Sequence, residues 1–295
     1  MMGLKKTIFI GNRLNVLNEL LSNKHIVLKK IYVQKKSMLH ERLQDLSLPQ
    51  GADVEVFSVN DKRKIVGDIA SVDFDLLVSN GCPIILPVGT IRRPGQTFIN
   101  VHPTLLPHLR GRTPLNGIFI HHHREIGATM HYMDDGIDTG NIIYQSKVPM
   151  TPDLDQGLIY KISFDLEGAA FKAGMNTLIK SDFAFSGTVQ STGGSYFNRT
   201  LEMQLIDIQS NSTQQIIDKI KAFGVKSQGA ILIIGNKQYR LFAAEEICST
   251  YLLNAYKKVP AGEIALEYDG KILLRTLNGI IKITSFIIEA PHSDR

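Results

Sequence analysis

The run Thr97-Phe98-Ile99-Asn100-Val101-His102-Pro103-Thr104-Leu105-Leu106-Pro107 decides how this chain folds. Phe98, Ile99 and Val101 are apolar, and the polar Asn100 and His102 are spaced by two. Side chains alternate across a strand, so Asn100 and His102 leave the same face. Pro103 and Pro107 end the strand and begin a rigid loop. The stretch therefore predicts a buried strand with an amide and an imidazole at its carboxyl end.

Upstream, strands alternate with helices. Thr7–Ile10 is a predicted strand, Leu14–Leu21 an amphipathic helix, and Ile26–Leu28 with Ile31–Val33 the second strand. Val54–Val59 is the third, Asn60 caps a helix reaching Ile69, and Asp75–Ser79 is the fourth. This alternation predicts an α/β fold, a Rossmann-like, mostly parallel sheet with helices on both faces. Ligands of such sheets bind beyond the carboxyl ends of the strands, where Asn100 and His102 lie. Gly11-Asn12-Arg13 follows the first strand without the Gly-x-Gly-x-x-Gly pattern, which argues against a nicotinamide cofactor.

Downstream, Ala128–Met133 and Asn141–Val148 are predicted strands flanking a turn from Asp134 to Gly140. Gln156–Ile179 is a long helix with Asp153 or Asp155 near its start. Ser186–Ser195, rich in Gly, Ser and Thr, reads as a connector, and a domain boundary is expected near Thr200. This gives domains at 1–200 and 201–295. The second holds a helix, Thr213–Phe223, and short strands at 230–234, 239–242, 262–266, 271–276 and 279–283. Turns such as Asp269-Gly270 and Asn278-Gly279 separate several of them and suggest a small open barrel.

A chain of 295 residues has room for two domains, and its 43% hydrophobic and 21% charged content is that of an ordinary globular protein. The 33 basic and 28 acidic residues leave a mild net charge of +5, which suits an anionic substrate without demanding nucleic acid. Cys82 and Cys248 are far apart, so a disulfide scaffold is not expected and a reducing cytoplasm fits. No leader-like pattern opens the chain, and no apolar run reaches the ~18 residues of a membrane span.

Asn100-x-His102-Pro-Thr-Leu-Leu-Pro, taken with Asp138-Thr139-Gly140, resembles the folate-dependent formyltransferases. That family includes glycinamide ribonucleotide transformylase, methionyl-tRNA formyltransferase and the sugar N-formyltransferases. The resemblance runs from about Lys5 to Thr200 and more weakly to Ile288. It implies an OB-like second domain, and it implies that Asn100, His102 and Asp138 are catalytic. Singly, they would read as a turn cap, a packed histidine and an Asx-turn residue.

In formyl transfer an amine attacks the formyl carbon, and negative charge develops on oxygen in a tetrahedral intermediate. A donor aimed at that oxygen is typically worth about 3 kcal/mol. Asn100 and protonated His102 are the expected donors. Asp138 is expected to stabilise and orient the imidazolium and to accept or relay the amine's proton.

The Pro-bounded apolar loop Gly81-Cys82-Pro83-Ile84-Ile85-Leu86-Pro87 can offer backbone groups and an apolar slot to a flat ring. The bland alternative is a capping loop packed on the core. The resemblance implies that it holds the pterin of 10-formyltetrahydrofolate, through Gly81, Cys82, Ile84, Ile85, Leu86 and Pro87. Asp134 and Gly136 of the turn would close the other side. Cys82 reads as a small hydrophobe rather than a nucleophile. No metal is expected, since His121-His122-His123 would fan around a helix and no zinc pattern accompanies it. His108 and His131 are left unassigned, His131 fitting either a substrate border or the core.

Leu109-Arg110-Gly111-Arg112-Thr113-Pro114-Leu115-Asn116 is similar to a segment of the formyltransferase domain of the bacterial lipid A aminoarabinose enzyme. Methionyl-tRNA formyltransferases usually carry Arg-Gly-Ala-x-Pro-Ile-Gln there. Phe197-Asn198-Arg199-Thr200 resembles the end of the same sugar enzyme's catalytic domain, with Asn198 a departure. Arg112, Thr113, Pro114 and Asn116 thus become candidate substrate residues, with Arg112 gripping a diphosphate. A surface ion pair is its bland reading. Gln34–Gln50 mixes Lys35, Lys36 and Arg42 with Glu41 and Asp45, which argues against gripping a tRNA acceptor stem. The expected partners are folate and a nucleotide-linked amino sugar, not a membrane or nucleic acid. The resemblance also points to a possible homodimer. The alternatives are a methionyl-tRNA formyltransferase, a formyl-folate hydrolase, and a silent binding module.

Overall fold

The computed structural model describes residues 3–289. The chain divides into two compact units. The first comprises residues up to Pro114, Glu125–Met150 and Lys161–Phe197; the second comprises Leu115–Arg124, Thr151–Tyr160 and the chain from Asn198 onward. The chain thus passes between units at 197/198, while two earlier segments also belong to the second unit. Residues 115–124 carry the apolar Ile118 and Phe119, which are buried.

The first unit is a seven-stranded sheet with the order β3-β2-β1-β4-β5-β6-β7. Its strands are β1 Lys5–Gly11, β2 Ile26–Gln34, β3 Asp53–Phe57, β4 Leu76–Asn80, β5 Thr97–His102, β6 Glu125–Tyr132 and β7 Ile142–Pro149. The first five run parallel, and β6 and β7 join antiparallel. This is the expected Rossmann-like α/β arrangement. The strand β2, read from sequence as two short runs, is one element whose register against β1 shifts between Leu28 and Lys30. Lys29 is the extra residue of that bulge.

Alternation along the strands sorts the core onto two faces. Phe9, Ile31, Val78, Ile99, Val101 and Met130 pack against Leu17 and Leu20 of the helix Leu14–Leu21 and Phe171 and Met175 of the helix Gln156–Lys180. Ile8, Ile10, Leu77 and Phe98 pack on the other face, with Ile65 and Ile69 of the helix Lys62–Ser71 and Ile84, Leu86 and Val88 beyond β4. Each such buried side chain is worth roughly 1.5–3 kcal/mol of transfer free energy. Phe98 fixes the second face for Asn100 and His102, and the pairing of β6 with β5 sets His131 directly opposite Asn100.

The second unit is an antiparallel sheet of five strands, ordered β10-β11-β12-β9-β8. They are β8 Ala230–Ile234, β9 Lys237–Glu246, β10 Ile264–Tyr268, β11 Lys271–Arg275 and β12 Ile280–Glu289. A small β domain is as expected. β9 runs longer than its apolar core because its polar ends keep pairing across the ladder, and β12 continues past Ile283 through Thr284 and Ser285 into a second apolar run, Phe286–Ile288, that pairs with β9. The helix Thr213–Phe223 starts at a Ser212/Gln215 capping box and buries Ile216, Ile217 and Ile220 against Leu232, Leu241 and Ile281. Among the described residues, no helix is long and apolar enough to cross a membrane.

Candidate active site

The site forms where β5 ends. His102 is 4% exposed, and the loop after it turns back so that His102 Nε2 donates to the Leu109 carbonyl at 2.9 Å. Thr104 Oγ1 donates to the same carbonyl at 3.2 Å. Thr129 ties the loop to β6, accepting from Leu106 N at 3.1 Å and donating to Thr104 O at 2.7 Å. With Nε2–H spent on a carbonyl, Nδ1 is the nitrogen that can take up a proton. It lies 3.5 Å from Asp138 Oδ2.

Asp138 arrives from the turn between β6 and β7 with a left-handed backbone, φ 56°. Gly140 two residues on is obligatory, since a Cβ there would come 2.0 Å from the Tyr132 carbonyl oxygen. Asp138 Oδ2 accepts from Gly111 N at 2.9 Å, and Oδ1 accepts from Asn100 Nδ2 at 3.3 Å. The structure thus brings Asn100, His102 and Asp138 together, 38 residues of chain being folded back between the first and the last.

His131 joins them. Its Nδ1 donates to the Tyr132 carbonyl at 2.7 Å, which leaves Nε2 to accept from Asn100 Nδ2 at 3.1 Å. Both hydrogens of the Asn100 amide are therefore engaged, one by an imidazole and one by a carboxylate, so the amide presents its oxygen on the remaining side. Sequence reasoning left His131 unassigned. Reading β6 as antiparallel to β5 would have revealed it.

Burial lowers the affinity of the His102 ring for a proton more than the Asp138 carboxylate raises it, so its pKa falls below the ordinary histidine value. Burial works against the Asp138 carboxylate. The imidazoles of His102 and His131 and the Gly111 N–H outweigh it and hold that carboxyl well below the usual range. A neutral ring thus faces an ionised carboxylate at rest, where the sequence suggested an imidazolium.

The Pro-bounded loop lies after β4. Ile84 and Leu86 are core residues at 6% and 4% exposure, whereas Ile85 between them is 52% exposed. Gly81, Cys82 and Pro87 are half-buried. Cys82 Sγ donates to Ile84 O at 3.2 Å, and burial pushes its thiol up to about 12, so it stays protonated. Asp134 Oδ1 organises the facing turn by accepting from Gly136 N at 3.1 Å and Thr139 Oγ1 at 2.7 Å. Asp135 Oδ1 accepts from Gly89 N at 2.7 Å, which joins the turn to the residues following the loop. Of the loop's apolar side chains, Ile85 is therefore the one presented at the surface.

Of the candidate substrate residues, Arg112 is exposed, Thr113 half-buried and Pro114 buried. Asn116 lies in the second unit with no exposed surface, and its Nδ2 donates to Ala222 O at 2.6 Å and Gln228 Oε1 at 2.7 Å. Its side chain is a packing group there, committed to the helix Thr213–Phe223 rather than to a ligand. His121, His122 and His123 follow the short helix Gly117–Ile120. Among the described residues, no group of three or more His, Cys, Asp or Glu side chains is arranged to hold a metal ion.

Comparison with known proteins gives this arrangement its class. Residues 24–173 match the formyl transferase family, and residues 199–291 match the formyl transferase C-terminal domain. The first match covers more than half of the chain, and the protein belongs to the formyl transferase family. A methionyl-tRNA formyltransferase of Marinobacter nauticus is 28% identical over 219 residues, 74% of this chain and 68% of that one. Another, from Syntrophus aciditrophicus, is 30% identical over 173 residues, 59% of this chain and 55% of that one. The structure of an N-formyltransferase from Helicobacter canadensis, in complex with folinic acid and dTDP-3-aminofucose, superposes with a TM-score of 0.67 at 18% identity. That superposition covers 96% of this chain and 100% of the other.

Proposed function

We propose that the protein is an N-formyltransferase carrying a formyl group from 10-formyltetrahydrofolate to the amine of a nucleotide-linked amino sugar. The convergence of Asn100, His102 and Asp138 at one strand mouth carries the transfer reading. An amine entering beside the Asn100 oxygen finds an acceptor that orients its lone pair. As it attacks the formyl carbon, the Asn100 N–H held by Asp138 only at 3.3 Å exchanges that partner for the developing oxyanion. His102 Nδ1 takes the proton the amine loses, and the Asp138 carboxylate, 3.5 Å away, stabilises the imidazolium formed. As the tetrahedral intermediate collapses, the bond from the formyl carbon to the folate nitrogen breaks and the imidazolium returns its proton to that leaving nitrogen. Gly81–Pro87 and the Asp134–Asp138 turn hold the folate; a bound formyl-folate supplies the one-carbon unit, and no metal is invoked.

The sugar acceptor is favoured by the Arg110-Gly111-Arg112 stretch and by the chain between β2 and β3. There Ser37 caps a short helix, Met38–Arg42, with Leu39 fully buried, and Glu41 and Asp45 dilute the basic residues. The Helicobacter canadensis enzyme, of the same fold and length, binds a nucleotide amino sugar. The sequence relatives favour a second acceptor, methionyl-tRNA. A screen of nucleotide-linked amino sugars and charged initiator tRNA with the formyl-folate donor, read by the mass gain of a formyl group, separates the two. Formylation of tRNA alone would overturn the sugar reading, and formylation of neither would overturn both.

A further inference from the structure

The Gly-, Ser- and Thr-rich segment after the helix Gln156–Lys180 is more than a connector. Thr188 pairs with Ile142, just downstream of Asp138, through reciprocal backbone bonds of 2.8 Å. Further along, Ser195 N donates to Pro107 O at 3.2 Å, Ser195 O accepts from Arg110 N at 2.9 Å, and Ser195 Oγ accepts from Leu109 N at 3.0 Å. Leu109 is the residue whose carbonyl holds His102. A side chain at Gly194 would put its Cβ 2.6 Å from the Pro107 carbonyl oxygen, so the close passage requires glycine. The strand of chain from 188 to 197 thus stitches the loop carrying the His102 anchor to the loop carrying Asp138.

Gln190 sits at the middle of this strap. Its Nε2 donates to the carbonyls of Asp138 and Gly140, each at 2.8 Å. Its Oε1 accepts from Arg110 Nε at 3.2 Å and Arg110 Nη2 at 2.6 Å. The guanidinium, seated over the Tyr196 ring at 5.5 Å, fixes which end of the amide faces the carbonyls. Arg110 is followed by Gly111, whose N–H holds the Asp138 carboxylate. One dipeptide therefore grips Asp138 twice, through its carboxylate and, by way of Gln190, through its main-chain carbonyl. The left-handed backbone of Asp138 is disfavoured for a residue with a Cβ, and these bonds are what hold it.

We propose that Gln190, locked by Arg110, is a positioning residue that aims the Asp138 carboxylate at His102. This rests on the reading of Asn100, His102 and Asp138 as the transfer site, but its test does not need an acceptor. The groups facing His102 are Asp138, His131 and, more remotely, Arg13. Of these three, Asp138 is the one that Gln190 holds. Freeing the carboxylate removes the attraction that supports a charged ring, so the His102 pKa falls.

The test is Gln190→Met, which keeps side-chain length and adds no charge, with His102 titrated by NMR on histidine-labelled full-length protein. The expected result is a fall of about half a pH unit or more in the His102 titration, with the thermal transition retained. In an Asp138→Asn background the same substitution is expected to move nothing. If formyl transfer is assayed with a working acceptor, kcat is expected to fall roughly ten- to a hundred-fold with the folate KM unchanged. A folded Gln190→Met protein with unchanged His102 titration overturns the proposal, as does an equal shift in the Asp138→Asn background. Should Gln190→Met not fold, Arg110→Lys opens the same clamp from its other end and is judged by the same shift. A His102 shift without transfer to any acceptor overturns the functional reading and leaves the positioning role standing.

Discussion

At the residue scale, His102 is spent at one nitrogen and poised at the other. Nε2–H holds the Leu109 carbonyl, and Nδ1 faces a carboxylate in a buried setting. His102→Ala is expected to lower turnover by at least 10³-fold while leaving the fold intact, as read by rate and circular dichroism together. The lowered pKa of the ring has a direct pH consequence. The base form is the competent one, so kcat/KM rises with pH through a pKa below the ordinary value of about 6.5 and is flat above it. A rate profile that still climbs between pH 7 and 8 after correction for the acceptor amine's own titration would contradict a His102 base.

His131 acts at the same scale. It holds the Asn100 amide with its oxygen outward. His131→Phe keeps the ring shape and removes the acceptor, freeing one amide hydrogen and the orientation it enforces. A fall in kcat of about ten-fold or more, with the protein's melting temperature within a few degrees of the parent, is expected.

At the scale of elements, the helix Gln156–Lys180 is bound by an ion pair to the start of the helix Leu14–Leu21, where Arg13 is the N-cap residue. Arg13 Nη1 donates to both oxygens of Glu167, at 2.9 and 3.0 Å, and Glu167 has no exposed surface. Burial raises the Glu167 pKa to about 7 against the opposing pull of Arg13. A folded-state pKa above the unfolded value means that the folded protein binds more protons between those two values. Stability from this group is thus full below pH ~4.5 and falls as pH rises towards 7. Glu167→Gln is expected to abolish this part of the slope, measured as the difference between urea unfolding of the two proteins at pH 5, 6 and 7. A parallel pair of pH–stability curves would show that the carboxylate remains charged throughout.

The strand elements also explain what was legible beforehand. The period-2 spacing of Asn100 and His102 put both on one face because Phe98, packed on that face, fixes the parity. The run of Ile84, Ile85 and Leu86 looked uniformly apolar, yet an extended loop alternates too, burying the outer two and exposing the middle one. Asn116 looked like a polar residue beside an arginine. Its burial is a long-range event, set by Ala222 and Gln228 more than 100 residues away.

At the scale of the whole molecule, the buried apolar side chains of the described residues form three clusters, one on each face of the first sheet and one in the second unit. Ile281 is fully buried in the last of these. Ile281→Ala is expected to cost about 2–5 kcal/mol, seen by hydrogen exchange as lost protection across β9, β11 and β12. Net charge bears on the acceptor at this scale. The mild excess of +5, from 33 basic and 28 acidic residues, accords with the proposed diphosphate-linked acceptor. Acceptor affinity measured from 50 to 200 mM salt is expected to follow a log–log slope of about two or less, as for a diphosphate, and a slope of several units would favour tRNA.

The sequence by itself determined the layers: alternating strands and helices, the polar pair at the end of β5, the turn carrying Asp138, and a small β unit in the C-terminal part of the chain. These are local properties, written in periodicity, proline and glycine. Only the tertiary structure decided which atoms meet. The tautomer of His102 depends on a loop folding back to offer the Leu109 carbonyl. The orientation of Asn100 depends on a neighbouring antiparallel strand, and the aim of Asp138 on a glutamine 52 residues further along the chain. Hydrogen bonds between distant segments leave no period in a sequence, because each is satisfied by whatever the fold brings within about 3 Å.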